Sequence, residues 1–220
     1  MKLHLYYCPG TCSFVPHTLL ELLKNNFGIE YEATAVSLKD GQQHTPEYKA
    51  VNPRQQVPAL LVDGQLLTQV IAITNFLNDS YPQASILPKD AMAKAQALSM
   101  LAWINNTVHP TFTRVFRPER FGTEEGQAGV KQKALETFKG YLGEINEILA
   151  DNRPYLCGQQ LTPADIYAIC LIRWGGVAGV NPADYPRYQS YVNRINQEEP
   201  DRKSTRLNSS HTDISRMPSS

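Results

Sequence analysis

Only four cysteines occur in 220 residues (Cys8, Cys12, Cys157, Cys170). That is too few for a disulfide scaffold, and no Cys-x-x-Cys pair or His/Cys cluster offers a zinc site. No apolar run reaches the roughly 18–20 residues of a membrane span. The opening MKLHLYYCPG passes from a short apolar run straight into a turn, so no signal peptide is expected. Charge of one sign is also missing: 21 basic and 21 acidic side chains balance to zero, and residues 1–200 carry 17 against 19. A general nucleic-acid or anionic-membrane surface is therefore not expected. A reduced, cytoplasmic protein follows from these absences.

The last twenty residues lack the pattern of the rest. Asp201 to Ser220 hold eight Ser or Thr and only three apolar residues, and read as polar coil. DRKSTRLNSSH looks like a translated sequencing adapter, and SRMPSS like its far side, one frame over. Residues 201–220 are therefore expected to be a non-native tail and are set aside from fold reasoning.

The remaining 200 residues have two grammars. Up to about residue 80, short strand-like runs alternate with helical ones. Leu3–Tyr7 reads as a strand stopped by Pro9-Gly10. From Ser13, the spacing Val15, Leu19, Leu22, Leu23 fits one helical face, with Pro16 tolerable in the first turn. Tyr31–Leu38 predicts a second strand. Pro58–Val62 and Gln65–Thr68 flank Asp63-Gly64, a two-residue hairpin signal. Ile71, Phe76 and Leu77 open another helix. Strands joined by a helix are parallel and the hairpin pair is antiparallel, which is the order of a thioredoxin-like domain. Residues 81–90 read as a linker. Beyond it strand signals vanish, and 91–117, 124–151, 163–177 and 184–196 read as helices. The fold class is thus an α/β thioredoxin-like domain over 1–80 and an all-helical domain over 91–200.

Three places can carry chemistry. Cys12 sits where the first helix begins, where unpaired N–H groups and the helix dipole favour a thiolate; a buried hydrophobic cysteine fits the same position. Val57-Pro58 opens an apolar strand, and both a trans turn proline and a cis bond are compatible with it. Thr68-Gln69-Val70 precedes the third helix, whose first N–H groups can hold a carboxylate or simply await a cap. Ser13 is either a cap for the first helix or a rival to Cys12. Tyr6 and Tyr7 read as strand residues. Arg114, Arg117 and Arg120 at spacing three predict one helical face, either solvated or a basic rim for an anionic co-substrate. Thr162-Pro163-Ala164-Asp165 fits a capping box with Pro at the first helical position. Cys157 and Cys170 read as helix-packing residues.

YYCPGTCSFVPH, NPRQQVPALLVDGQLL, TQVIAITNFL and LTPADIYA, in that order across residues 1–200, resemble the segments of bacterial beta-class glutathione transferases. The resemblance implies glutathione as co-substrate, a small electrophile as second substrate, a homodimer and no metal. Cys12 matches the family's active-site cysteine, with Ser13 beside it. Val57 matches the residue whose backbone pairs with the glutathione cysteine, next to a cis-proline matching Pro58. Arg54 and Gln56 belong to the same segment and are assigned to glutathione binding with it. Gln69 and Val70 match the pair that takes the γ-glutamyl end. His109 matches a histidine near the site, and Asn106 falls in a segment that touches glutathione from the partner subunit.

The chain departs from that pattern at three positions. Gln69 replaces the usual Glu and brings no charge to an ammonium group; Val70 replaces Gly or Ser and supplies no hydroxyl. Gln55 stands where a glycine is usual, which predicts a different turn. Weaker glutathione binding follows. The family also usually continues past Glu198-Glu199-Pro200 with a last helical segment, which an adapter-derived tail would replace. Two alternative functions stay open: thiol–disulfide exchange by Cys12, and a non-catalytic ligand module.

Overall fold

The computed structural model describes residues 1–198; the tail expected to be adapter-derived lies outside them. Two compact units are present, Met1–Leu87 and one that begins at Pro88.

In the first unit β1 (Leu3–Tyr7) leads through a turn into α1 (Phe14–Phe27) and β2 (Glu32–Ala35). α2 (Pro46–Val51) follows, then β3 (Ala59–Val62), β4 (Gln65–Thr68) and α3 (Val70–Ser80). The sheet order is β2-β1-β3-β4. β1 and β2 are parallel, and β3 is antiparallel to both β1 and β4, as helix-joined and hairpin-joined strands require. Asp63 (φ 48) and Gly64 (φ 85) both take left-handed backbone in the two-residue hairpin, the conformation whose twist matches the flanking strands. Leu3 and Leu5 are buried with Val15, Leu19, Leu20, Leu23, Leu60, Ile73 and Leu77. His4 and Tyr6 alternate with the two leucines, point to the opposite face and are half-buried. α1 ends on Gly28 (φ 67), whose N–H reaches Lys24 O at 2.9 Å while Ile29 N–H reaches Leu23 O at 3.3 Å, a glycine-terminated cap.

Two expectations need correction here. β2 covers 32–35 rather than 31–38, because its partner β1 ends at Tyr7, opposite Ala35; Val36 is buried and gives a last N–H to Tyr7 O at 2.7 Å, and beyond it there is no strand to pair with. α2 was not anticipated, although Thr45-Pro46 is a helix-start pair: Thr45 Oγ1 accepts the Tyr48 N–H at 3.3 Å and Pro46 occupies the first turn.

The second unit is helical. α4 (Ala91–Trp103), a π-helical turn (Ile104–Val108) and α5 (His109–Phe116) replace the single helix expected over 91–117. Pro110 is the cause: it has no N–H for the Asn106 carbonyl and its ring crowds that carbonyl. The chain widens by one residue, and the His109 N–H reaches back to Ile104 O. α6 (Gln127–Ile148), α7 (Pro163–Val177) and α8 (Pro186–Glu198) complete the unit. α7 is its core, buried from Pro163 to Ile172 without interruption, as an element with apolar residues on every side must be. Leu101, Phe138, Leu142, Ile145 and Tyr188 are fully buried in the same unit.

Arg114, Arg117 and Arg120 do not share a helical face. α5 ends at Phe116, and Pro118 starts a separate 3-10 turn. The Arg114 guanidinium lies 4.9 Å from the Phe121 ring centre and that of Arg117 lies 5.5 Å from Phe116. Cys170 packs inside α7, but Cys157 lies on no helix; it sits half-buried in the turn closed by the Tyr155–Gly158 bridge.

Candidate functional site

The pairs Tyr6↔Ala59 and Ala59↔Thr68 bring the end of β1, the start of β3 and the end of β4 side by side. The three segments marked in the sequence leave the sheet from these ends. Residues 8–13 follow β1, residues 55–58 precede β3, and Gln69-Val70 follow β4.

The 8–13 turn is closed by hydroxyls. Ser13 Oγ accepts the Cys8 N–H at 3.0 Å and lies 2.9 Å from Cys8 O and 2.7 Å from Thr11 Oγ1. Thr11 Oγ1 donates to Cys8 O at 2.8 Å. Ser13 is wholly buried. It occupies the N-cap position of α1 yet makes no side-chain cap, so the expected capping role is replaced by that of a latch on its own turn. The turn leaves Cys12 half-buried, with its Sγ 3.8 Å from the Val57 carbonyl oxygen.

The expectation of unpaired N–H groups beside Cys12 is corrected at the first helical positions. Phe14 N–H reaches Thr11 O at 3.0 Å, Val15 N–H reaches Cys12 O at 3.2 Å, and Pro16 has none. What remains near the thiol is the direction of the α1 dipole.

In the second segment the Val57–Pro58 bond is cis. Asn52 (1% exposed) and Tyr48 anchor the approach to it: Asn52 Nδ2 and Tyr48 Oη each donate to Gln56 O at 2.7 Å. Asn52 Oδ1 accepts the Arg54 N–H at 3.0 Å, and the Arg54 and Gln56 side chains face solvent. Gln55 has φ 56. The turn therefore takes the left-handed backbone that glycine adopts freely. The Gln55 side chain is held instead, its Oε1 2.7 Å from His44 Nδ1. Val57 is half-buried, and within residues 1–198 no hydrogen bond uses its N–H.

Gln69 is exposed, with φ 75 and ψ 126, and its side chain makes no cap on α3. Such backbone is costly for any residue but glycine and recurs at ligand-holding positions. Val70 is buried (2% exposed), so its contribution at the surface is restricted to backbone.

Asn106 and His109 belong to the second unit. Asn106 is exposed on the π-helical turn, its Oδ1 2.8 Å from Asn105 Nδ2. His109 Nδ1 lies 2.7 Å from the Tyr167 hydroxyl, and its ring centre is 4.8 Å from Trp174. Burial lowers its pKa to about 4, so the imidazole is neutral at pH 7.

Tyr48, Asn52 and Thr11 are the participants that sequence reasoning missed. The Asn52-Pro53 pair carried a turn signal; Tyr48 lay in a stretch assigned to no element. Among the described residues no group of three or more His, Cys, Asp or Glu can hold a metal ion, and no helix is long and apolar enough to cross a membrane.

Residues 1–79 match the family model described as Glutathione S-transferase, N-terminal domain, and residues 104–199 match Glutathione S-transferase, C-terminal domain. The chain is 33% identical over 194 residues to glutathione S-transferase GstA of Escherichia coli O157:H7, spanning 87% of this chain and 91% of that one. It is 38% identical over 191 residues to a maleylacetoacetate isomerase of Pseudomonas aeruginosa, spanning 79% of this chain and 86% of the relative. Among solved structures it is similar to a glutathione transferase homolog from Sulfitobacter with bound glutathione: TM-score 0.83, 25% identity, 95% of this chain and 97% of that one. A sphingomonad glutathione S-transferase complexed with glutathione gives TM-score 0.79 at 28% identity, covering 95% of this chain and 99% of that one.

Proposed function

The chain belongs to the glutathione S-transferase family, and on that premise we propose that it is a beta-class, cytoplasmic, homodimeric enzyme that joins glutathione to small electrophiles. The thiol of glutathione loses its proton to solvent, the thiolate sulfur forms a bond to an electrophilic carbon, and the leaving group departs with its electron pair. The single observation carrying this reading is the open edge at the end of the sheet. There a half-buried Cys12 faces the Val57 carbonyl, and the Val57 N–H is left to an incoming peptide.

In this reading glutathione lies extended along residues 56–58, pairing its cysteine backbone with Val57 beside Pro58. Gln69 and the backbone at Val70 receive the γ-glutamyl end, with Arg54 and Gln56 bordering the ligand. Cys12 stands beside the glutathione sulfur. Ser13 acts by shaping the turn that presents it, since its hydroxyl is spent on Cys8 and Thr11. In the second unit His109 offers a neutral hydrogen-bonding ring, and Asn106 reaches the glutathione of the partner subunit.

The accessible thiol of Cys12 also favours a second reading, exchange with a glutathionylated substrate. Cys12→Ser separates the two. Conjugation to an activated aryl halide is expected to persist within about tenfold, while reduction of a mixed disulfide disappears. A wild type that reduces the mixed disulfide but does not conjugate, with the reduction lost in a folded Cys12→Ser, would favour exchange. Absence of any glutathione binding in isothermal titration would leave only a non-catalytic module.

A further inference from the structure

The peptide group between Gln56 and Val57 is held at one end by two donors and open at the other. Its carbonyl accepts from Tyr48 Oη and from Asn52 Nδ2, both at 2.7 Å. Among the described residues the only cis bond is the next one along, so this peptide is trans, with its N–H directed opposite to its C=O. Pinning the carbonyl against α2 therefore aims the Val57 N–H away from α2. Within residues 1–198 no acceptor takes that N–H.

Both donors are held firmly. Tyr48 is 6% exposed and Asn52 1%. The Tyr48 ring meets Tyr6 edge-on, centres 5.8 Å apart. Burial pushes the Tyr48 phenol up to about 12, so it stays protonated, a donor, across the working pH range. Asn52 is fixed at both ends, its Oδ1 taking the Arg54 N–H at 3.0 Å and its own N–H reaching Tyr48 O at 2.8 Å. Two donors on one carbonyl also draw charge through the amide and strengthen the N–H opposite.

We infer that Tyr48 and Asn52 are positioning residues for the ligand-docking edge: they orient and polarise the Gln56–Val57 peptide so that its N–H is presented to the backbone of a bound peptide. Neither touches that ligand; both act through one amide plane. The inference rests on the proposed glutathione site and names residues of α2 and its C-terminal end as the machinery behind it.

The test compares wild type with Tyr48→Phe, which keeps the ring against Tyr6 and leaves the carbonyl one donor. In isothermal titration with glutathione the variant is expected to bind roughly fivefold more weakly, the worth of one hydrogen bond. In turnover of an activated aryl halide, KM for glutathione rises more than kcat falls. In the ligand-free protein the Val57 amide nitrogen signal moves while that of Gln69 does not, which a general loosening would not produce. Should Tyr48→Phe fail to fold, Asn52→Asp keeps an oxygen for the Arg54 N–H and removes the donor to Gln56; the same weakening is expected of it. Unchanged affinity and an unmoved Val57 signal in a folded variant would overturn the inference while leaving the glutathione site standing. A wild type that does not bind glutathione would overturn both.

Discussion

Gln69 concentrates the tension between fold and site in one residue. Its backbone, at φ 75 and ψ 126, costs about 1–3 kcal/mol for a side-chain-bearing residue, and nothing in the cap of α3 repays it. Gln69→Gly is therefore expected to raise stability in urea denaturation by about 1 kcal/mol, after glycine's own entropic cost. Glutathione affinity should fall in the same variant; an unchanged affinity would remove Gln69 from the site. His109 gives a pH dependence. Its folded-state pKa of about 4 lies below its ordinary 6.5, so the unfolded chain takes up the proton first as the solution is acidified. Stability from this site is complete above pH 6.5 and lost between 6.5 and 4, by at most roughly 3 kcal/mol. Denaturation midpoints measured across that window should fall less steeply in His109→Gln than in wild type. Positions of this kind were partly readable beforehand. The place of Cys12 at the head of a helix came from strand, turn and spacing alone. That Ser13 would be consumed by Cys8 and Thr11, or that Gln55 would hold a glycine's conformation with His44 at its side chain, depends on contacts that periodicity does not encode.

Among the elements, α7 shows how a short motif anchors a whole unit. Asp165 is buried, and its carboxylate accepts from the Thr162 N–H (2.7 Å), the Thr162 hydroxyl (2.7 Å), the Leu156 N–H (2.7 Å) and the Tyr191 hydroxyl. Burial raises the pKa of this carboxyl and the four donors oppose that shift. The capping box read from Thr162 and Asp165 is present. Thr162→Ala is expected to cost about 0.5–2 kcal/mol in urea unfolding while leaving glutathione affinity unchanged; a matching loss of affinity would contradict its purely structural role. A further constraint sits at Gly175, where an added Cβ would stand 3.1 Å from Leu142 Cδ1 and 3.6 Å from Val180 Cβ. Gly175→Val should destabilise by about 1–3 kcal/mol through overpacking, detectable as a lower thermal midpoint. Elements with strong periodicity or caps, such as α7 over 163–177, emerged from the sequence with their ends in place. α2 did not, because six residues hold too few turns for a period to show. The π-helical turn before Pro110 did not either, because a widened turn leaves the apolar spacing almost intact.

For the molecule as a whole, the hairpin and crossover grammar of residues 1–80 was enough to give the pairing directions of β1 with β2 and of β3 with β4, since each connection type permits one direction; the adjacency of β1 and β3 that joins the two pairs is not encoded in either connection. The register that gathers residues 8–13, 55–58 and 69–70 at one end of that sheet follows from the same pairings. The proposed site is thus a consequence of topology: strand ends release three loops beside one another, and in the proposal each supplies one part of a peptide-binding edge. The most direct test is a crystal structure of the protein soaked with glutathione. The sulfur is expected in contact with Cys12 Sγ, the tripeptide's cysteine backbone paired with Val57, and its γ-glutamyl end against Gln69 and Val70. Glutathione bound elsewhere, or lying on this edge with its sulfur turned away from Cys12, would contradict the account.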